Sequence, residues 1–283
     1  MSTGKSGGLA EWLYPALFLI CAGWTVWHIP AFTLDLYPPE NESLFGQIEE
    51  LHLRREVIKD LPGVLGPYAN PIDWIALLGL PLFFVLGARS VVIAPMEFQD
   101  YRPWDRAALF LGRVTMIMIA FMTCVMLYEV FLRYAIEAPT KWANELTLWI
   151  AGFVFLTSGF YAMQQRSHIR IFILYDVCPR WLQRVFDTLS TLIICIFAAG
   201  LVFGSYNQVF VTKFYRWEMF GTAFDPPIPA TIQPMILIIM VLTACQSVAN
   251  LIADWNREPE VHSGPDDLDD DELQAMKRSV GAD

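Results

Sequence analysis

Four uncharged stretches dominate this sequence: Trp12 to Leu34, Leu146 to Gln165, Thr188 to Thr212 and Pro226 to Ala253. Each reaches or exceeds the roughly 20 residues that cross a hydrocarbon core. Backbone N–H and C=O groups find no water there, so a spanning segment must be a helix or a strand of a closed barrel, and runs this long are no barrel strand. Two shorter stretches, Trp74 to Ala88 and Val114 to Tyr128, are bounded by Asp73/Arg89 and Arg113/Glu129. Those charges can sit near the interface or snorkel to it from the helix ends. The expectation is an all-α integral membrane protein with six transmembrane helices, near 12–34, 71–94, 104–134, 142–164, 182–212 and 228–254. Only 17% of the residues are charged and the mean hydropathy is +0.42. A typical soluble domain carries roughly a quarter charged residues, so a soluble enzyme is excluded.

Orientation follows from where Lys and Arg flank the spans. With the N-terminus inside, the inner segments hold twelve of the nineteen basic residues, among them Arg89, Arg102, Arg106, Arg166, Arg170, Arg180 and Arg184. The outer segments hold seven, three of them (Arg54, Arg55, Lys59) in one long acidic loop. Both termini are therefore expected in the cytoplasm. Lys5 before an apolar run faintly resembles a signal peptide, but the run is long, rich in tryptophan and lacks an A-x-A site, so it is read as a retained helix.

The net charge of −10 is concentrated in two places. Residues 256–283 carry nine acids against three bases, including the run Asp266 to Glu272, and read as an acidic, disordered tail. Residues 35–70 carry seven acids against three bases. Within that loop Leu44, Ile48, Leu51 and Ile58 form an imperfect helical stripe, so a short surface helix is expected over 43–60. A second interfacial segment is expected over 169–177, and an ordered, irregular outer turn over 214–229, where Pro226, Pro227 and Pro229 cluster.

The chemistry of an enzyme is not apparent. Among the four histidines only His28 falls in a span, too few for paired haem ligation. Cys21, Cys124, Cys178, Cys195 and Cys245 are isolated, with no CxxC spacing. HExxH and GxSxG motifs are missing, and TGKSGG near the N-terminus lacks the first glycine of a P-loop. No charge falls at the midpoint of a span, and no pair of broken helices marks a midplane substrate site. A self-sufficient transporter, which would carry substrate across liposomes unaided, is disfavoured. An electron-transfer anchor, which would bind haem or quinone, remains a second reading.

The stretch Glu129 to His168 stands out. Glu129 and Arg133 are spaced i, i+4 on one face of the third span. Such a pair contributes only about 0.2–0.5 kcal/mol on a surface, too little to offset placing both charges against lipid. The two residues should face protein or interfacial water, either as an intrachain ion pair or as a partner contact. Trp142 and Glu145 begin the fourth span, where they could meet Arg133 across the short loop, and Trp149 extends their face. Trp142 also fits an aromatic-belt anchor.

At these residues the chain resembles the small membrane subunit (Q, or DctQ-like) of tripartite ATP-independent periplasmic (TRAP) transporters. The matching features are Glu129, Arg133-Tyr134, Pro139, Trp142, Glu145, Trp149, Gly152, Tyr161-Ala162, His168-Ile169 and Pro179, in an order covering Arg102 to about Trp255. The resemblance implies a non-catalytic scaffold in the bacterial inner membrane, paired with a large membrane subunit. It further implies sodium-coupled uptake of an organic acid delivered by a periplasmic solute-binding protein. No cofactor is expected in this chain, because the resemblance assigns sodium and substrate to the large subunit. The partner-interface candidates are Glu129, Arg133, Trp142, Glu145 and Trp149 near the outer side and His168 and Arg170 near the inner side. The expected division is a two-helix N-terminal extension with its acidic loop (1–100), a four-helix DctQ-like domain (101–255) and the tail (256–283). The extension is absent from the minimal family pattern, and its acidic loop would lie where the binding protein arrives.

Overall fold

The computed structural model describes residues 8–37, 43, 46, 68–94, 97–98, 102–166 and 178–256. Within these the chain forms α1 (Leu9–Trp27), α2 (Ile29–Leu36), α3 (Pro71–Ser90), α4 (Asp105–Ala135), α5 (Ala143–Gln164), α6 (Arg180–Tyr206), a π-helical segment (Asn207–Tyr215) and α7 (Ile228–Asp254). Six helices, with the π-helical segment continuing α6, are long and apolar enough to cross a membrane. The fold is all-α and the protein is a multi-pass membrane protein. The expected helices over 43–60 and 169–177 lie, apart from residues 43 and 46, outside the described residues, as does the acidic tail from 257 onward.

Two departures from the expected spans have local causes. The first span is not continuous to Leu34 but breaks at His28, whose N–H bonds back to Trp24 and Thr25. Pro30 has no N–H to extend that ladder, and its ring crowds the carbonyl four residues earlier, so α2 restarts in a new direction. The second departure is the π-helical end of α6. There Tyr206, Phe210, Phe214 and Trp217 form a ladder with centroid spacings of 5.2, 6.2 and 6.1 Å. The Glu218 N–H closes the segment on the Lys213 carbonyl, 2.9 Å away. The turn that follows is ordered and irregular, as expected, with Trp217, Gly221 and Asp225 at positive φ.

Helix α4 is the spine. On one side α1 and α3 pack against it and against each other, and on the other side α5 does, with α7 behind α5 and α6 on α7. Lipid tails are as apolar as leucine, so close packing and interhelical hydrogen bonds, rather than expulsion of water, hold such helices together. Phe110 meets Phe18 and Phe84 edge-on, and those two lie tilted against each other, where α1, α3 and α4 converge. Gly87 of α3 makes that convergence possible: a Cβ there would lie 2.1 Å from the Phe110 ring. Across the spine, Ala108, Phe160 and Ile239 join α4, α5 and α7. The Thr115 and Thr157 hydroxyls stand 2.7 Å apart between α4 and α5. An interhelical bond of this kind contributes about 0.6–2 kcal/mol.

The bundle has two polar ends. One carries the α4–α5 turn, α2 and the 216–227 turn. The other carries the start of α4, the end of α5, the start of α6 and the end of α7. At this second end Gln246 of α7 donates to Asp105 of α4 (2.8 Å), and Asn250 donates to the Met163 carbonyl of α5 (2.8 Å).

Candidate partner-contact site

The α4–α5 turn is built by its own side chains. Helix α4 stops where Glu137 adopts a left-handed conformation (φ 58°). The Glu129 carboxylate, 2% exposed, then gathers the turn. One oxygen accepts from Arg133 Nη2 at 2.7 Å, while the other accepts from the Thr140 N–H at 3.0 Å and from the Thr140 hydroxyl. The intrachain alternative for Glu129 is thus formed. Arg133 is different, because its side chain remains 45% exposed at the perimeter. Its charge is directed by Glu129 but is open to a neighbour.

The expected meeting of Glu145 with Arg133 does not occur. Glu145 instead accepts from the Thr222 hydroxyl at 2.6 Å, tying α5 to the 216–227 turn. Its position at the start of α5 puts a carboxylate at the positive end of the helix dipole. Trp142 stacks on Tyr128 at 6.3 Å, which braces the turn. Trp149 is 8% exposed and belongs to the interior: its indole N–H donates to Thr231 Oγ1 of α7 at 2.8 Å, and its ring lies against Trp27 and Phe153. His168 and Arg170 lie outside the described residues. Of the seven candidates, the structure brings Glu129, Arg133, Trp142 and Glu145 together around one turn, and of the three charges among these Arg133 alone is exposed.

The N-terminal extension grips this domain at both ends. Near the turn, Trp27 packs on Trp149 and Phe224. There too the base of the acidic loop is closed by Asp35, which accepts from the Tyr68 and Ala69 N–H groups at 3.2 and 2.8 Å. Trp24 Nε1 donates to the buried Asp73 (2.7 Å), joining α1 to α3.

The opposite end holds a charged cluster that the sequence reading missed. Arg113, two turns inside α4 and 5% exposed, donates from Nε to Glu11 (3.0 Å) and through a fork to both Glu97 oxygens (2.7 and 3.0 Å). Nη2 of that fork also donates to the Val92 carbonyl (3.0 Å), and the Tyr161 hydroxyl of α5 donates to Glu97 (2.7 Å). Burial pushes the Glu97 carboxyl upward, but the bonds from Arg113, the Ala94 N–H and Tyr161 outweigh it and hold it below its ordinary value. Arg113 is therefore no snorkelling end charge. The available signal was its place nine residues into a predicted helix, with Glu11 directly before the first apolar run. The cluster joins four separate pieces of chain and faces none of the perimeter, so its role is to fix the extension on α4 and α5.

Comparison with protein-family models matches residues 122–257 to the DctQ component of the tripartite ATP-independent periplasmic transporters. That segment begins midway along α4 and runs through α5, α6 and α7, leaving α1, α2, α3 and the first half of α4 outside it. No curated protein and no solved structure matches.

Proposed function

Because residues 122–257 match the DctQ component of TRAP transporters, we propose that this chain is the fixed scaffold on which the large membrane subunit carries an organic acid together with sodium. A periplasmic binding protein delivers the acid, and this chain supplies neither the sodium site nor the substrate site. It sits in the bacterial inner membrane with both termini in the cytoplasm, so that the α4–α5 turn and the acidic loop face the periplasm. The family match carries the reading. It is supported by the construction of the turn, where a buried Glu129 holds an exposed Arg133 at the perimeter.

The extension narrows where the large subunit docks. Since α1 and α3 lie against α4, and Trp27 of α1 against α5, the extension covers part of the matched segment, and the surface it leaves open includes α6 and the outward side of α4. There Leu189, Leu192, Ile196, Phe121 and Phe131 are exposed. Arg133 lies at the outer margin of that surface.

The test is to tag the chain in its native membrane, solubilise it gently and identify what co-purifies. A larger polytopic membrane protein at one-to-one stoichiometry is expected. Recovery of the chain alone, or with redox subunits, would overturn the scaffold reading.

A further inference from the structure

Helices α5 and α6 both rest on α7 and scarcely touch each other. Over α7 they leave a crevice of about 310 Å³. Three arginines line it: Arg166 after α5, and Arg180 and Arg184 on the first two turns of α6. Arg166 grips Asp254 with Nε and Nη2 (2.6 and 3.0 Å) and lies over the Phe98 ring (3.9 Å). Arg180 uses Nη2 on the Asp254 carbonyl (2.7 Å) and Nη1 on Gln183 (3.2 Å), and Arg184 donates to the Trp255 carbonyl (3.1 Å).

Two donors remain. Arg166 Nη1 and Arg180 Nε are buried, belong to residues that line the same crevice, and have no hydrogen-bond partner among the described residues. A buried N–H without an acceptor is costly, the more so when it belongs to a cation. The acids lining the crevice, Asp187 and Asp254, are fewer than the arginines, which leaves it one positive charge in excess. The chemistry that answers both deficits is an oxyanion with two or more acceptor oxygens, as in a phosphate group.

The rest of the lining says which phosphate. Beyond the arginines the crevice continues along α6 past Ser190 to Ile193 and Ile194, roughly two and a half turns past Arg184, with Met163 and Leu251 beside it. Ile193 is exposed on α6, and the exposed Trp255 lines the crevice beside Arg184, an aromatic of the kind that sits at membrane interfaces. A cationic mouth above an apolar, laterally open groove matches an amphiphile with a phosphate head and an acyl tail. We propose that this crevice binds an anionic glycerophospholipid, its phosphate seated on Arg166 and Arg180 and one acyl chain lying along Ile193 and Ile194. The inference stands independently of the transport reading, since it uses only the geometry of α5, α6 and α7.

The test uses the full chain in a neutral detergent, stripped of lipid, with retained lipids counted by native mass spectrometry. Dioleoylphosphatidylglycerol, dioleoylphosphatidylcholine and inorganic phosphate are the probes. One phosphatidylglycerol per chain should be held in preference to phosphatidylcholine, and millimolar inorganic phosphate should not displace it. Arg180→Gln should weaken retention about tenfold or more, as the loss of a charge-assisted bond predicts. Arg106→Gln, which removes an equal charge at the same end of the bundle outside the crevice, should leave the preference in place. Equal retention of both lipids by the unaltered chain would overturn the proposal without reliance on any variant. Displacement by inorganic phosphate would reassign the crevice to a free anion, and equal effects of the two substitutions would reduce it to a general surface charge.

Discussion

Arg113 of α4 and Glu97 of the α3–α4 connection meet as a two-pronged fork, Nη1 to Oε1 at 2.7 Å and Nη2 to Oε2 at 3.0 Å, with both side chains buried. Glu11 shares the guanidinium through Nε, so two carboxylates depend on one cation. Breaking such a pair from the cationic side leaves uncompensated buried charge and costs about 3–5 kcal/mol. Arg113→Met should therefore lower the thermal midpoint in detergent and loosen α1, seen as faster proteolysis near the N-terminus. Glu97→Gln should cost less, and Glu11→Gln least, since Glu11 has a single bond to the arginine and its neutralisation removes the excess negative charge. A Glu11→Gln protein as unstable as Arg113→Met would contradict this ordering.

The same cluster makes acid stability of the extension depend on Glu97. Its carboxyl is held below the ordinary value of 4.5 in the folded chain, burial opposing and the bonds from Arg113, Ala94 and Tyr161 prevailing. A depressed acid contributes its stability fully above the unfolded value and loses it as pH falls through the lower folded value. The protease resistance of α1 should thus hold from neutral pH to about 5 and decline at pH below 4. In Glu97→Gln that acid-dependent step should be absent, leaving a lower but flatter profile. A variant with the same acid midpoint as the parent chain would assign the step to another carboxylate.

How much of this was legible beforehand depends on the kind of force involved. The six spans follow from length and apolarity alone, and five both begin and end within a few residues of their expected limits, because a bilayer imposes a nearly fixed length. The break at His28 was signalled by Pro30, but the weight given to apolar continuity hid it. The π-helical end of α6 has no distinct sequence signal, since its residues differ little from those of the helix before it. The turn cluster was legible through Glu129–Arg133 spacing, a contact within one helix. Glu145 with Thr222, separated by 77 positions, and Arg113 with Glu11, separated by 102, are set by how helices pack, and a single sequence does not reveal that.

Glycine positions offer a contrast between close approach and open space. A Cβ at Gly87 would fall 2.1 Å from Phe110, inside the ring triad joining α1, α3 and α4, whereas one at Gly159 of α5 meets nothing within 4 Å. Gly87→Ala should cost about 1–3 kcal/mol through forced displacement of the ring. Gly159→Ala should be neutral or stabilising by up to about 1 kcal/mol, the difference in helix propensity. Paired thermal unfolding curves check both signs.

Trp149 and Thr231 link α5 to α7 through one hydrogen bond of 2.8 Å, and the threonine hydroxyl in turn donates to the Pro227 carbonyl at 2.7 Å. Trp149→Phe keeps most of the ring volume but removes the donor, so it should destabilise by about 0.5–1.5 kcal/mol. Thr231→Val removes the acceptor and leaves the indole N–H buried without a partner, which should cost more than the first change. The double variant should cost less than the sum of the two. Additive costs in a double-mutant cycle would mean that the bond contributes nothing beyond ring packing.

Charge reversal separates the folding role of the α4–α5 turn from its proposed docking role. Arg133 is bonded to Glu129, and Glu145 to Thr222, so Arg133 and Glu145 are not partners. The double variant Arg133→Glu with Glu145→Arg should therefore show no rescue of either single change, in stability or in recovery of the large subunit. Glu129→Gln should destabilise the isolated chain, since its carboxylate holds both Arg133 and Thr140. Arg133→Gln should disturb the fold of the isolated chain less than Glu129→Gln, because the Glu129 carboxylate keeps both of its bonds from Thr140. If the exposed guanidinium meets the large subunit, Arg133→Gln should nevertheless reduce one-to-one co-purification. Full recovery of the complex with Arg133→Gln would confine this residue to a surface role and move the contact to the apolar faces of α4 and α6.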